Sequence, residues 1–170
     1  STLGSGIGQN EIASVEANGD LSVNKNFKCD RRGVFFVKGD LTIDGRITNQ
    51  NLEKDACIFI VNGNVTIGNG EKVSNSTMEY DEINAYILAD GKIEIPQDEE
   101  KRDIYDGIYI DGGIHSLSEE GVVIKRSLKL ADRLRYPVLV VKQNSKYGVL
   151  SRSLFGSSIL LQSIEVGIRP

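Results

Sequence analysis

Residues 34–45 read Val-Phe-Phe-Val-Lys-Gly-Asp-Leu-Thr-Ile-Asp-Gly, and residues 58–68 read Ile-Phe-Ile-Val-Asn-Gly-Asn-Val-Thr-Ile-Gly. The two stretches share one template: an apolar run, a polar residue, Gly, a polar residue, then apolar-Thr-Ile. Val, Ile, Phe and Thr favour a pleated surface. A Gly between two such runs marks a place where the chain bends or another backbone comes close. The copies lie 24 residues apart, and self-similarity at such a period is the signature of a repeat architecture.

The template extends in both directions. Residues 15–23 (Val-Glu-Ala-Asn-Gly-Asp-Leu-Ser-Val) and 86–95 (Tyr-Ile-Leu-Ala-Asp-Gly-Lys-Ile-Glu-Ile) fit it, and residues 107–114 fit its first half. Residues 122–130 keep the apolar spacing, with Arg126 in the Gly place. The markers are then residues 19, 39, 63, 91, 112 and 126, at spacings of 20, 24, 28, 21 and 14. Strands of constant length joined by connections of varying length fit a β-solenoid, in which each coil stacks on the last. Alternation predicts one interior ladder of Leu21, Leu41, Val65, Ile93, Ile114 and Leu128. The wholly apolar strands before the Gly, residues 34–37 and 58–61, call for cover on both sides, so something outside the solenoid is expected to pack there.

The fold expected is therefore all-β: one domain, a β-solenoid of about six irregular coils closed by a C-terminal cap. Residues 1–8 read as a linker, 9–136 as the solenoid, and 137–170 as a strand and cap segment. In that last segment, residues 138–141 are expected to continue the ladder beyond 122–124, with a turn at 143–146 and a second short strand to residue 150. Residues 137–170 are too apolar for a free tail, with Val138 to Val141, Val149-Leu150 and Ile159 to Leu161 needing burial.

Composition agrees. The chain has 18 Gly, 3 Pro and no Trp among 170 residues, which suits many short strands joined by turns. A net charge of −4 argues against a general electrostatic grip on nucleic acid. No apolar run is long enough to cross a membrane as a helix. The start reads as a fragment or processed chain, with a membrane anchor expected upstream.

Two cysteines occur, Cys29 and Cys57. They lack the second pair or His cluster of a zinc site. Two readings stand: two small buried hydrophobes, or one disulfide between neighbouring coils of an exported protein.

The pieces in order resemble exported β-helix proteins of candidate-phyla-radiation (Patescibacteria) bacteria. The resemblance rests on residues 37–45, 61–67, 87–95, 104–110 (Ile-Tyr-Asp-Gly-Ile-Tyr-Ile), 126–128 and 164–170 (Ile-Glu-Val-Gly-Ile-Arg-Pro). It covers the chain from about residue 34 to the end and departs at the tail, where an aromatic expected near Ile164 is missing. It implies a right-handed solenoid at the cell surface or outside the cell, often behind an N-terminal membrane segment. More distantly the chain is similar to bactofilins, polymerising β-helix proteins with shorter, more regular repeats. Neither family brings catalytic residues.

Motifs of enzyme chemistry are sparse. The chain carries no Gly-x-Ser-x-Gly, P-loop or dinucleotide fingerprint. Asp103, Asp106, Asp111 and the single histidine, His115, would cluster on one outer strand if coiling brought them together, as carboxylates do in β-helix polysaccharide enzymes. Against this, Asp44, Asp90, Asp106 and Asp111 all precede Gly, which is ordinary turn chemistry. Asp98, Glu99, Glu100 and Asp103 offer hard oxygen ligands for calcium, but a charge run usually marks a solvated face. Asn64-Val-Thr66 and Asn75-Ser-Thr77 are formal glycosylation sequons. No catalytic residue, cofactor or metal is assigned. Three functions are expected in order. First comes a structural or adhesive module of a bacterial surface, pilus or filament assembly, meeting proteins or its own copies through the solenoid end or C-terminal segment. A carbohydrate-active or polysaccharide-binding β-helix and a bactofilin-like cytoskeletal polymer follow.

Overall fold

A computed structural model describes residues 13–24, 26–68, 80–97, 107–128 and 135–155. The strands are β1 (Ala13–Ala17), β2 (Leu21–Asn24), β3 (Phe27–Cys29), β4 (Arg32–Val37), β5 (Leu41–Asp44), β6 (Ile47–Asn49) and β7 (Ala56–Val61). They continue as β8 (Val65–Ile67), β9 (Tyr80–Ile83), β10 (Ala85–Ala89), β11 (Ile93–Ile95), β12 (Gly107–Ser116), β13 (Val122–Ile124) and β14 (Leu139–Gln143). One helix, α1 (Ser145–Phe155), follows.

The chain is a β-solenoid built from parallel strands. Face A stacks β1, β4, β7, β10 and the second half of β12. Face B stacks β2, β5, β8, β11 and β13. Face C stacks β3, β6, β9, the first half of β12, and β14. Successive strands visit A, B and C in turn, so each strand from β1 to β12 pairs with the one a full circuit later.

Registry follows from side-chain alternation. On β5, Leu41 and Ile43 are fully buried, Thr42 is half-buried on the outside and Asp44 is exposed. A slip of one residue would turn both aliphatics to water. Burial of each such side chain is worth roughly 1.5–3 kcal/mol. Face A adds an aromatic step: Phe35 stacks on Phe59 with centroids 4.8 Å apart, and Phe27 meets Phe35 edge-on at 5.9 Å.

The ladder differs from the expected one at its end. Leu21, Leu41, Val65 and Ile93 stand in register, and the next rung is Val122. Ile114 instead pairs with Ile87 on face A, and Leu128, though buried, lies beyond β13. Face B therefore has five rungs rather than six. The marker count misread Gly112, which sits inside β12 where that strand rounds the corner from face C to face A. Gly112 has φ +157°, and a Cβ there would lie 2.6 Å from the Ala85 carbonyl carbon. Asp111-Gly112 is thus a strand bend and not a turn.

Residues 138–141 do not extend face B. β14 pairs with β12 on face C, Ile108 opposite Leu139 and Ile110 opposite Val141. The expected strand to residue 150 is a helix. Asn144 caps it: its Oδ1 accepts the Lys146 amide at 3.1 Å and its carbonyl accepts the Tyr147 amide at 3.2 Å. Tyr147 and Leu150, three apart, then share one side of the helix and pack with Val34, Ala56 and Ile58 on the outside of face A. This helix is the external cover that the apolar strands call for. The cap and linker expected at residues 156–170 and 1–8 lie outside the described residues.

Candidate functional site

The corner between faces A and B repeats one device. The Gly39 amide donates to the Gly19 carbonyl, Gly63 to Gly39, and Gly91 to Gly63, at 3.0–3.3 Å. Beside this glycine stack, Asp20 Oδ1 accepts the Asp40 amide at 2.9 Å, Asp40 Oδ1 the Asn64 amide at 2.8 Å, and Asn64 Oδ1 the Lys92 amide at 3.1 Å. Each short acidic or amide side chain thus satisfies a backbone donor one circuit later. The Gly-Asp and Gly-Asn pairs of the template are this device. It ends at Lys92; the following circuit turns through Gly121, at φ +65°.

The corner between faces B and C holds buried charge. Arg126 and Asp81 are both nearly inaccessible. Arg126 Nη2 donates to the Gly68 carbonyl at 2.8 Å, and its Nη1 stands 4.0 Å from Asp81, which Arg46 also approaches at 3.8 Å. Charges leave water at this cost only when paired and hydrogen-bonded. Arg126, which stands in the Gly place of the repeat, is an internal tie across circuits.

The corner between faces C and A carries the remaining polar groups. Cys29 and Cys57 are joined there in a disulfide, with Cα atoms 6.1 Å apart. Asn49, Asp55, Asn84 and Tyr147 are buried. Lys146 donates to the Leu52 and Asp55 carbonyls at 3.1 and 3.2 Å. Burial lowers the pKa of Lys146, against the pull of Asp111 and Asp55. Burial likewise pushes the Tyr147 phenol up to about 12.

Of the polar cluster expected from sequence, Asp111 and His115 are described. Asp111 faces outward on face C, accepting from Asn144 Nδ2 at 2.7 Å and pairing with Lys142 at 3.7 Å. His115 lies past the Gly112 corner, beside Leu88 on face A. Asp103, Asp106 and the calcium candidates Asp98, Glu99 and Glu100 lie outside the described residues, as does Asn75. Asn64, the other sequon residue, is committed to the corner ladder. Among the described residues no three His, Cys, Asp or Glu side chains gather as a metal-holding group, and no helix is long and apolar enough to cross a membrane.

The last rungs are distinctive. Inward positions that are 0% exposed at Leu41 and Ile43 are 38% and 46% exposed at Val122 and Ile124, and Val141 on β14 is 44% exposed. Among the described pairings β13 has a partner only on the β11 side, and β14 only on the β12 side.

No family model matches the chain, and no curated protein or solved structure matches it either.

Proposed function

We propose that the chain is a non-enzymatic structural module, a rigid solenoid of a bacterial surface or filament assembly that meets its partner through the end of its stack. The observation that carries this reading is the uncovered inner ladder at β13 and β14, where Val122, Ile124 and Val141 are 38–46% exposed. Parallel edges with unpaired backbone are templates for another chain, and β13 bears no charged side chain to discourage pairing. The rest of the molecule reads as scaffold: glycine stacks, aliphatic rungs and side-chain caps that fix shape. The Cys29–Cys57 disulfide suits an oxidising compartment, which supports placement outside the cytoplasm.

The experiment is sedimentation of the chain across a concentration series, beside Val122→Lys/Ile124→Lys. We expect concentration-dependent self-association, or capture of a defined surface partner, in the parent and its loss in the variant, with an unchanged circular dichroism spectrum. A parent chain that stays monomeric and binds only acidic polysaccharide, equally well after the substitutions, would replace this reading with a polysaccharide-binding one.

A further inference from the structure

We propose that Asn18-Gly19, at the corner between faces A and B of the first circuit, is a site of self-modification. Its carboxamide is lost as ammonia through a cyclic imide, while the same dipeptide two circuits later, Asn62-Gly63, is kept intact by the stack. Asn-Gly occurs at residues 18–19, 62–63 and 69–70, and the last of these lies outside the described residues. Ring closure is least hindered when Gly follows Asn, because no Cβ shields the attacking nitrogen.

The step balances with water alone. The Gly19 nitrogen attacks Asn18 Cγ and yields its proton to solvent. The bond from Cγ to the amide nitrogen breaks, and ammonia leaves. Water then opens the imide at either carbonyl, giving aspartate or its β-linked isomer. One neutral carboxamide has become one carboxylate, and the β-linked form adds a methylene to the backbone before β2.

The surroundings of Asn18 favour attack. Asn18 and Gly19 are both exposed, so water reaches the reacting atoms. Lys38 Nζ donates to Asn18 Oδ1 at 2.8 Å. An ammonium on that oxygen draws electron density from Cγ and faces the oxyanion that forms there. Nothing lies within 4 Å of the Gly19 Cβ position, so the peptide has room to turn.

Asn62-Gly63 shares the chemistry but not the freedom. The Lys38 amide donates to the Ala17 carbonyl and the Asn62 amide to the Val37 carbonyl, which sets residues 18, 38 and 62 in one row. Gly63 is pinned on both sides: its amide donates to the Gly39 carbonyl at 3.1 Å, and its carbonyl accepts the Gly91 amide at 3.0 Å. Ring closure there requires an interior circuit to open first, and its rate follows the open population.

The test is incubation of the full chain in mildly alkaline buffer, with peptide mapping by mass spectrometry at intervals. Mapping reports Asn18 and Asn62 separately from each other and from Asn69. Conversion at Asn18 should run at least about tenfold faster than at Asn62 in the folded chain. The two rates should converge in denaturant, where both are plain Asn-Gly pairs. Gly19→Ala should slow conversion at Asn18 at least about tenfold, with an unchanged circular dichroism spectrum. The inference is overturned by an Asn18 that stays intact, by equal rates at the two sites in the folded chain, or by a difference that persists in denaturant.

Discussion

The Asp40 carboxylate occupies the space that a side chain on Gly63 would need. A Cβ at Gly63 would fall well inside contact distance of Asp40 Oδ1 and only 2.6 Å from the Gly39 carbonyl oxygen, while that same Oδ1 accepts the Asn64 amide at 2.8 Å. Glycine and acid are therefore one unit distributed over two circuits. Gly63→Ala should cost roughly 2–4 kcal/mol, because backbone rather than a flexible side chain must give way. Gly19, at the first rung, has nothing within 4 Å of its Cβ position, so Gly19→Ala should change stability by less than about 1 kcal/mol. Denaturant midpoints of the two variants make the comparison. Equal losses would show that the glycines serve backbone conformation alone.

Position along the stack should govern the cost of truncating the inner ladder. Leu41→Ala removes a fully buried side chain and should cost about 2–5 kcal/mol. Ile124→Ala, on the half-exposed final rung, should cost less than about 1 kcal/mol. Chemical unfolding of both chains checks the gradient. A costly Ile124→Ala would mean that this rung is covered in solution.

Reduction of the Cys29–Cys57 disulfide releases a loop with a sequence separation of 28. In the chain-entropy account the loss is roughly 3–4 kcal/mol. Melting with and without reductant measures it, with Cys29→Ser/Cys57→Ser as the matched control. A melting temperature indifferent to reductant would show that the thiols do not pair.

Alkaline pH should weaken the seat of α1. The Tyr147 phenol, raised to about 12 by burial in the folded chain, titrates near its ordinary value of about 10 once unfolded. The folded state then holds its proton more tightly. Its contribution is fully present below pH 10 and is lost as pH rises from about 10 to 12, amounting to about 2–3 kcal/mol. Tyr86 and Tyr80 shift the same way, so Tyr147→Phe should flatten part of the alkaline decline in stability, not all of it. An identical decline in the variant would place the Tyr147 hydroxyl in water.

Faces A and B were legible because their signal is local. Each Val-x-Ile or Leu-x-Ile triplet carries its own period of two, and the Gly-Asp and Gly-Asn pairs recur at the one corner where backbone and carboxylate must nest. The signal fades where the device changes. Arg126 lies at the repeat's apolar spacing, yet its partner Asp81 is 45 residues earlier in the sequence, and nothing local announces a buried ion pair. Gly112 looked like a corner glycine and is one, but of a different corner. The helix hid for another reason: with Gly148 in its second turn it has poor intrinsic propensity, and the docking of Tyr147 and Leu150 supplies what the local sequence does not. Asp111 and His115, near neighbours in sequence, go to faces C and A because the strand that carries them rounds a corner.

α1 also changes the statistical character of the molecule. A stack in which each layer touches only the next behaves as a one-dimensional chain, and its ends fray independently of its middle. Here the helix that leaves the last strand turns back to Val34, Ala56 and Ile58, on the second and third strands of face A. Lys146 reaches the Leu52 carbonyl, 94 residues away in sequence. That contact closes the linear array into a loop of dependencies, so the terminal layer cannot melt without also uncovering the interior ones. Unfolding of the described body should then be a single concerted transition, with amide-exchange protection nearly level from β4 to β14 rather than tapering toward the final rung.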